Sequence, residues 1–258
     1  MPCPMDSVFS IKNGARFHVP HRLGPGAETD LPDVAAHHAM RVLRLAESDP
    51  VIVFDGTGGE YEAVIVRMTR SHVRVKTLRF RDGGPESPIQ VTLLQGVSGS
   101  DRMDFTLRKA VELGVHRVVP LFTERSVVKL DVDKVDKRRA HWQGIVISAC
   151  EQCGRNHVPE VAEPVGFRPW LAEVAIQPPI GETRLLMAIG SEMRFADLPR
   201  PTGQILLLAG PEGGFSPVES ELAQSRGFTP IRLGPRVLRT ETAAIAALSA
   251  IQTLWGDF

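Results

Sequence analysis

The sequence predicts an α/β protein: a mostly parallel sheet with helices on its faces, preceded by a small antiparallel β domain. Three features point there. From Ile89 onward, short apolar runs alternate with helical segments, the rhythm of parallel strands buried on both faces. Before residue 82 the pattern is one of short strands and glycine turns, which reads as hairpins. Between them lies Arg81-Asp82-Gly83-Gly84-Pro85-Glu86-Ser87-Pro88, a turn-forming run suited to a domain boundary. The expected division is therefore 1–84 and 85–258.

The N-terminal elements follow in order. Arg16 to Val19 is a strand, and Asp33 to Leu45 a helix with Ala35, Ala39 and Val42 at helical spacing. That spacing places His37, Arg41 and Arg44 on one face. Val51 to Phe54, the turn Asp55-Gly56-Thr57-Gly58-Gly59, Tyr61 to Met68 and the alternating His72 to Lys76 complete an antiparallel sheet or barrel. In the C-terminal part, Ile89 to Gln95 reads as a buried strand, Asp101 to Leu113 as a helix ended by Gly114, and Val115 to Leu121 as a second strand. Lys134 to Cys153 is a long helix stopped by Gly154. Leu185 to Ile189, Ile205 to Ala209 and Thr229 to Leu233 are strands, with helices from Pro217 and from about Thr242.

Composition narrows the function. The 258 residues carry 30 Lys+Arg against 30 Asp+Glu, with 43% apolar residues, which excludes wholesale disorder. A net charge of zero argues against coating nucleic acid by bulk electrostatics. The longest charge-free stretch, Thr242 to Gly256, has 15 residues, too few to cross a bilayer. The start Met1-Pro2-Cys3-Pro4-Met5-Asp6 lacks the basic and apolar segments of a secretory signal, so a cytoplasmic protein with reduced cysteines is expected. Neutrality holds within each part, with 11 basic and 11 acidic residues through Ser87. Cations nevertheless cluster locally. Val64 to Arg81 holds Arg67, Arg70, Arg74, Lys76, Arg79 and Arg81 without one acid, a pattern suited to RNA phosphates. Arg16, Arg22, Arg41 and Arg44 add to that patch. A second group is Arg226, Arg232, Arg236 and Arg239.

Glycine-rich loops carry the strongest site signal. Ile205 to Ala209 runs into Gly210-Pro211-Glu212-Gly213-Gly214-Phe215, then into Ser216-Pro217-Val218-Glu219, a helix start with an N-cap Ser, Pro at the first position and a closing Glu. Leu233 enters Gly234-Pro235-Arg236-Val237-Leu238-Arg239-Thr240-Glu241-Thr242 and another helix, while Ile189-Gly190-Ser191-Glu192 follows a third strand. Open α/β sheets bind ligands at the carboxyl ends of strands. Three such loops would gather bare amides and carbonyls around a neutral heterocycle. The spacing matches neither the dinucleotide fingerprint nor the P-loop, which disfavours an NAD-dependent dehydrogenase.

The stretches LLLAGPEGGFSPVE and LGPRVLRTETAAIAAL closely resemble the signature of the ribosomal RNA small subunit methyltransferase E family. The resemblance extends to RFHVP, HHAMRVLRL, FDGTGGEYEAVI, DRMDFTLRKAVELGV and SACEQCGR. It implies a C-terminal SPOUT domain with a trefoil knot and an N-terminal PUA-like β-barrel. It implies methylation of uridine N3 in 16S ribosomal RNA with S-adenosylmethionine, by a homodimer acting on the RNA or the small ribosomal subunit. Donor binding is then expected at Ile189, Gly190, Ala209, Gly210, Pro211, Glu212, Gly213, Gly214, Leu233, Gly234, Val237, Leu238, Thr240 and Ala243. The sequence departs from the family pattern at Ser98-Gly99-Ser100-Asp101-Arg102, where a Lys-rich turn is usual, and at Cys153, where Ser is common.

Transfer from a sulfonium to uridine N3 needs alignment, a proton acceptor and stabilisation of charge on the flanking carbonyl oxygens. Glu241 or Glu212 is the candidate acceptor, with Arg155 and Arg239 as stabilisers. Equally, Glu241 can serve the helix dipole and Arg239 an RNA phosphate. Cys150 and Cys153, flanked by His141 and His157, do not have zinc-finger spacing, and no metal is expected. Alternative readings are a SPOUT methyltransferase for another ribosomal or transfer RNA position, or a non-catalytic RNA-binding assembly protein.

Overall fold

The computed structural model describes residues 14–129 and 132–258, and the expectations placed on Met1 to Asp6 and Cys3 lie outside them. The chain forms two compact units, one running through Glu86 and joined by Cys150–Val158, the other made of Ser87–Ala149 and Pro159–Phe258. The expected linear division at residue 84 lacks that returning segment.

In the first unit a five-stranded sheet has the order β1 (Arg16–His18), β3 (Pro50–Phe54), β4 (Glu60–Met68), β5 (Val73–Arg81), β2 (Glu28–Asp30). β1 pairs with β3 in parallel and the other pairs are antiparallel. Alternation puts Phe17, Val51, Val53, Ala63, Ile65, Val73 and Val75 into one core with Leu31, Ala35 and Ala39. The edge strand β2 has no apolar pattern and was not expected. β5 runs beyond the expected Lys76 because Phe80 packs on Tyr61, ring centroids 5.0 Å apart, and Arg81 pairs with Glu62.

The expected helix over residues 33–45 is α-helical only in α1 (Asp33–His37) and continues as a π-helix through Val42. The wider π turn adds a residue per hydrogen-bonded ring, and Arg44 lies beyond it with φ of +52°. Arg44, beyond the helix and in a left-handed backbone conformation, therefore does not continue the spacing expected to put it on one face with His37 and Arg41.

In the second unit a seven-stranded sheet is parallel throughout. Its order is β12 (Thr229–Ile231), β10 (Thr183–Met187), β11 (Ile205–Ala209), β6 (Val91–Gly96), β7 (Arg117–Phe122), β8 (Glu160–Val161), with β9 (Val165–Gly166) also on β7. The helices are α2 (Ser100–Glu112), α3 (Val135–Cys153), α4 (Phe167–Glu173), α5 (Pro217–Ser225) and α6 (Thr240–Trp255). Leu94, Val119, Leu121, Leu186 and Leu208 bury one sheet face with Phe167 and Leu171 of α4 and Ala223 of α5. The alternate residues Leu93, Leu185 and Leu207 are fully buried on the other face, and α6 packs there against α2 and β11. The sequence missed β8 and β9, too short for periodicity, and α4, whose Pro169 sits in the first turn where a missing amide costs nothing.

Within the first unit, Glu86 accepts from Arg155 Nε (2.9 Å) and Nη2 (2.8 Å) through one oxygen, and from the Asn156 and His157 amides (2.9 and 3.0 Å) through the other. Arg155 is only 4% exposed. Breaking one side of such a pair leaves a buried charge uncompensated. Glu86→Ala should therefore destabilise the protein by about 3 kcal/mol in urea denaturation, with Glu86→Gln costing less. A midpoint unchanged in Glu86→Ala would contradict this role.

Candidate functional site at the carboxyl edge of the parallel sheet

β10, β11 and β12 are neighbours and parallel, so the loops leaving them emerge at one edge. Each must turn within a few residues. Gly190 and Gly234 do so with φ of +86° and +84°, a region that disfavours any side chain. The three loops enclose a pocket of about 490 Å³ lined by 20 residues. Of the fourteen residues expected at the donor site, the lining includes Ile189, Gly190, Gly210, Pro211, Glu212, Gly213, Gly214, Leu233, Gly234, Val237, Leu238, Thr240 and Ala243. Ala209 lies outside it, buried at the end of β11. Sequence reasoning missed Met187, Ala188, Phe215, Ile231, Pro235, Arg232 and Arg236. Arg232 and Arg236 belong to a cation cluster visible in the sequence, but only the turn after β12 brings them into the pocket lining.

The loops are fixed from behind. Thr240 Oγ1 donates to the Gly210 carbonyl at 2.6 Å, and Gln95 Nε2 donates to Thr240 Oγ1 at 3.3 Å and the Gly96 carbonyl at 3.0 Å. This ties the second loop to the start of α6. Ser216 and Glu219 form the expected capping box on α5, and the same buried Glu219 accepts from the Glu124 amide at 2.9 Å. Arg125 in turn donates to the Gly213 carbonyl at 3.1 Å.

The expected catalytic residues are distributed unevenly. Glu212 lines the pocket, and its Oε1 accepts from the Gly99 amide (2.9 Å) and Arg102 Nη1 (2.8 Å). Burial pushes its carboxyl up, but the Gly99 and Arg102 hydrogen bonds outweigh that and hold it below the usual range. Glu241 stands in the first turn of α6, beside the lining residue Thr240, with Oε2 3.9 Å from Arg102 Nε. Arg239 is the exposed N-cap of α6 and is not part of the lining. Arg155, expected to stabilise the anion, is instead buried in the ion pair with Glu86, so that expectation is corrected: its guanidinium is committed to the first unit.

The cationic run of the first unit also differs from its sequence. Strand pairing brings Asp30 to Arg74 (2.7 Å), Glu28 to Lys76 (3.8 Å), and Glu62 to Arg79 (3.0 Å) and Arg81. Arg74 keeps Asp30 below the usual carboxylate range by its hydrogen bonds. Arg16 is half-committed to structure, pairing with Glu60 and donating to Asn156 Oδ1 at 2.7 Å. Arg22 donates to Thr57 Oγ1 at 3.2 Å. Arg41, Arg44, Arg67 and Arg70 are exposed and form no ion pair with a described residue.

Among the described residues no group of three His, Cys, Asp or Glu is placed to hold a metal ion. Cys150 donates weakly to the His157 carbonyl, and burial pushes its thiol up to about 12. His141 is bonded to Asp104 instead, at 3.0 Å. No helix of the described residues is long and apolar enough to cross a membrane.

Residues 85–252 match a family model described as an RNA methyltransferase domain, and residues 31–78 one described as an RNA methyltransferase PUA domain. The fold and the two family models define an RNA methyltransferase of the SPOUT class with an N-terminal PUA domain. More narrowly, the chain belongs to the ribosomal RNA small subunit methyltransferase E family. It is 34% identical to that enzyme of Buchnera aphidicola (subspecies Schizaphis graminum), over 94% of this chain and 97% of the relative. It is similar to the crystal structure of the Neisseria gonorrhoeae enzyme of that name, bound to S-adenosyl methionine, at 42% identity, a TM-score of 0.86, and 95% and 99% coverage of the two chains. A putative methyltransferase from Legionella pneumophila, in complex with the same cofactor, gives 38% identity, a TM-score of 0.88, and 94% and 98% coverage.

Replacing Thr240 by Val removes the buried hydroxyl that holds the Gly210 carbonyl while keeping the shape. The expected loss is about 1–2 kcal/mol of stability by urea denaturation; a neutral substitution would show that the two loops are tied by other means.

Proposed function

We propose that this chain transfers a methyl group from S-adenosylmethionine to N3 of a uridine in 16S ribosomal RNA. The observation that carries the reading is the pocket. Its three glycine-bearing loops line it together with Met187, Phe215, Ile231 and Leu238, a setting suited to an adenine ring, and its volume is that of an ordinary cofactor site. Membership of a methyltransferase family, and relatives described as bound to that donor, support the same reading. The residues present fit the donor: the glycine-bearing loops leave backbone groups for the base, Met187, Phe215, Ile231 and Leu238 give apolar surface for its ring, and the Glu212 carboxylate suits the positive charge of a sulfonium. When bound, S-adenosylmethionine supplies an electrophilic methyl group.

The chain's own residues then orient the uridine and hold its proton. Glu212 is a poor acceptor because its Gly99 and Arg102 bonds favour the ionised form. Glu241 is the better candidate to take the N3 proton. Arg232 and Arg236 on the pocket wall, with Arg239 at the neighbouring helix start, stabilise the charge that spreads to the uracil oxygens. Ile189 and Val237 on the rim are 81% and 73% exposed, which supports a homodimer in which a second copy covers the pocket mouth. The exposed Arg41, Arg44, Arg67 and Arg70 contact phosphates of the RNA or small subunit, in the cytoplasm where ribosomes are assembled.

Mass spectrometry of 16S ribosomal RNA from a strain lacking the protein should show loss of one N3-methyluridine; its persistence overturns the reading. Glu241→Gln should lower turnover at saturating donor by about 100-fold with donor affinity kept, and full turnover would remove Glu241 as acceptor. Removing Arg67 and Arg70 together should reduce the slope of log affinity against log salt by about 2. An unchanged slope places the RNA elsewhere.

A further inference from the structure

A charged network stands beside the pocket and joins three elements. Arg102, in the first turn of α2, reaches Glu212 on the loop after β11 and Glu241 in the first turn of α6. It uses different nitrogens for the two, Nη1 at 2.8 Å and Nε at 3.9 Å. The N-cap of α2, Gly99, has no side chain to cap with, and its amide instead bonds Glu212. One helix start therefore grips the pocket loop by an amide and a guanidinium.

Glu212 Oε2, the oxygen that Gly99 and Arg102 leave free, and Glu241 Oε2, the oxygen 3.9 Å from Arg102 Nε, are both buried with no hydrogen-bond partner among the described residues. Gln95 Oε1 and Ser98 Oγ, on the segment leading into α2, are in the same condition. Native structures leave few buried polar atoms unsatisfied, and such atoms gather where a mechanism needs them. The two partly buried carboxylates share the charge of the guanidinium between them. A guanidinium presents separate donors to two acceptors in a way an ammonium cannot.

We propose that Arg102 is a positioning residue for methyl transfer, acting through Glu212 to set the 210–215 loop against the donor and through Glu241 to set the proton acceptor. The inference rests on the reading of the pocket as the donor site.

The test measures binding of S-adenosylhomocysteine by calorimetry to the full-length wild type, Arg102→Gln, Arg102→Lys, Glu212→Gln and the Arg102→Gln/Glu212→Gln double variant, with melting temperatures alongside. Losing a charge-assisted hydrogen bond predicts about tenfold weaker binding in Arg102→Gln, partly recovered in Arg102→Lys. Because Arg102 acts through Glu212, the double variant should bind no more weakly than Glu212→Gln alone. Wild-type affinity in Arg102→Gln, or losses that add in the double variant, would overturn the proposal. Should Arg102→Gln not fold, Arg102→Lys with unaltered affinity overturns it equally. Wild-type protein that binds no S-adenosylhomocysteine would instead sink the donor reading beneath it.

Discussion

A parallel sheet sends the carboxyl end of every strand to the same edge, and the rest of this site depends on that constraint. β12, β10 and β11 lie side by side, so the three loops leaving them have no choice but to meet. Each must also reverse quickly toward a crossover. The reversal at Gly190 and Gly234 takes positive φ values, and glycine there strips side chains from the turn. At those turns only main chain is left to meet a ligand, so part of the lining follows from topology and turn chemistry, before any side chain is chosen for recognition.

Two carboxylates brace the central loop, and their different states divide structure from function. Glu219 spends one oxygen on the Ser216 amide and the other on the Glu124 amide, so the capping box that starts α5 also anchors the loop after β7. Its hydrogen-bonding capacity is met, as a buried carboxylate requires. Glu212 spends one oxygen twice, on Gly99 and Arg102, and leaves the other without a hydrogen-bond partner among the described residues. Seven residues apart, one acid closes the fold and the other holds a half-satisfied charge at the wall of the pocket.

The strands and helices that build the pocket were legible because their signals are local. Ile205 to Ala209, the Ser216 to Glu219 helix start and the glycines at 190, 214 and 234 each declare themselves within a few residues. The expectations that failed depend on partners distant in the chain. Arg155 looks free in the sequence, and only folding brings it Glu86, 69 residues earlier. Arg102 stood out only as part of the Ser98 to Arg102 departure, with nothing to show its partners, which are 110 and 139 positions away. The helix after Asp33 has regular helical spacing, yet a π turn, which no hydrophobic pattern encodes, shifts its face.

The basic run of the first unit shows the same limit with a functional consequence. Along the chain, Val64 to Arg81 has six cations and no acid, which suggests a strongly positive surface. In the sheet, the flanking strands β2 and β4 lay Glu28, Asp30, Glu60 and Glu62 against Arg74, Lys76, Arg79 and Arg81. Exposed pairs of this kind contribute little to stability, but they lower the field the strand projects. Cations that pair with no acid among the described residues include Arg67 and Arg70 beyond the paired stretch and Arg41 and Arg44 around the π turn. A surface with few unpaired arginines gains little from a uniform polyanion and depends on phosphates placed at matching positions. Strand pairing thus decides how much of a charge-balanced sequence remains as a locally basic surface.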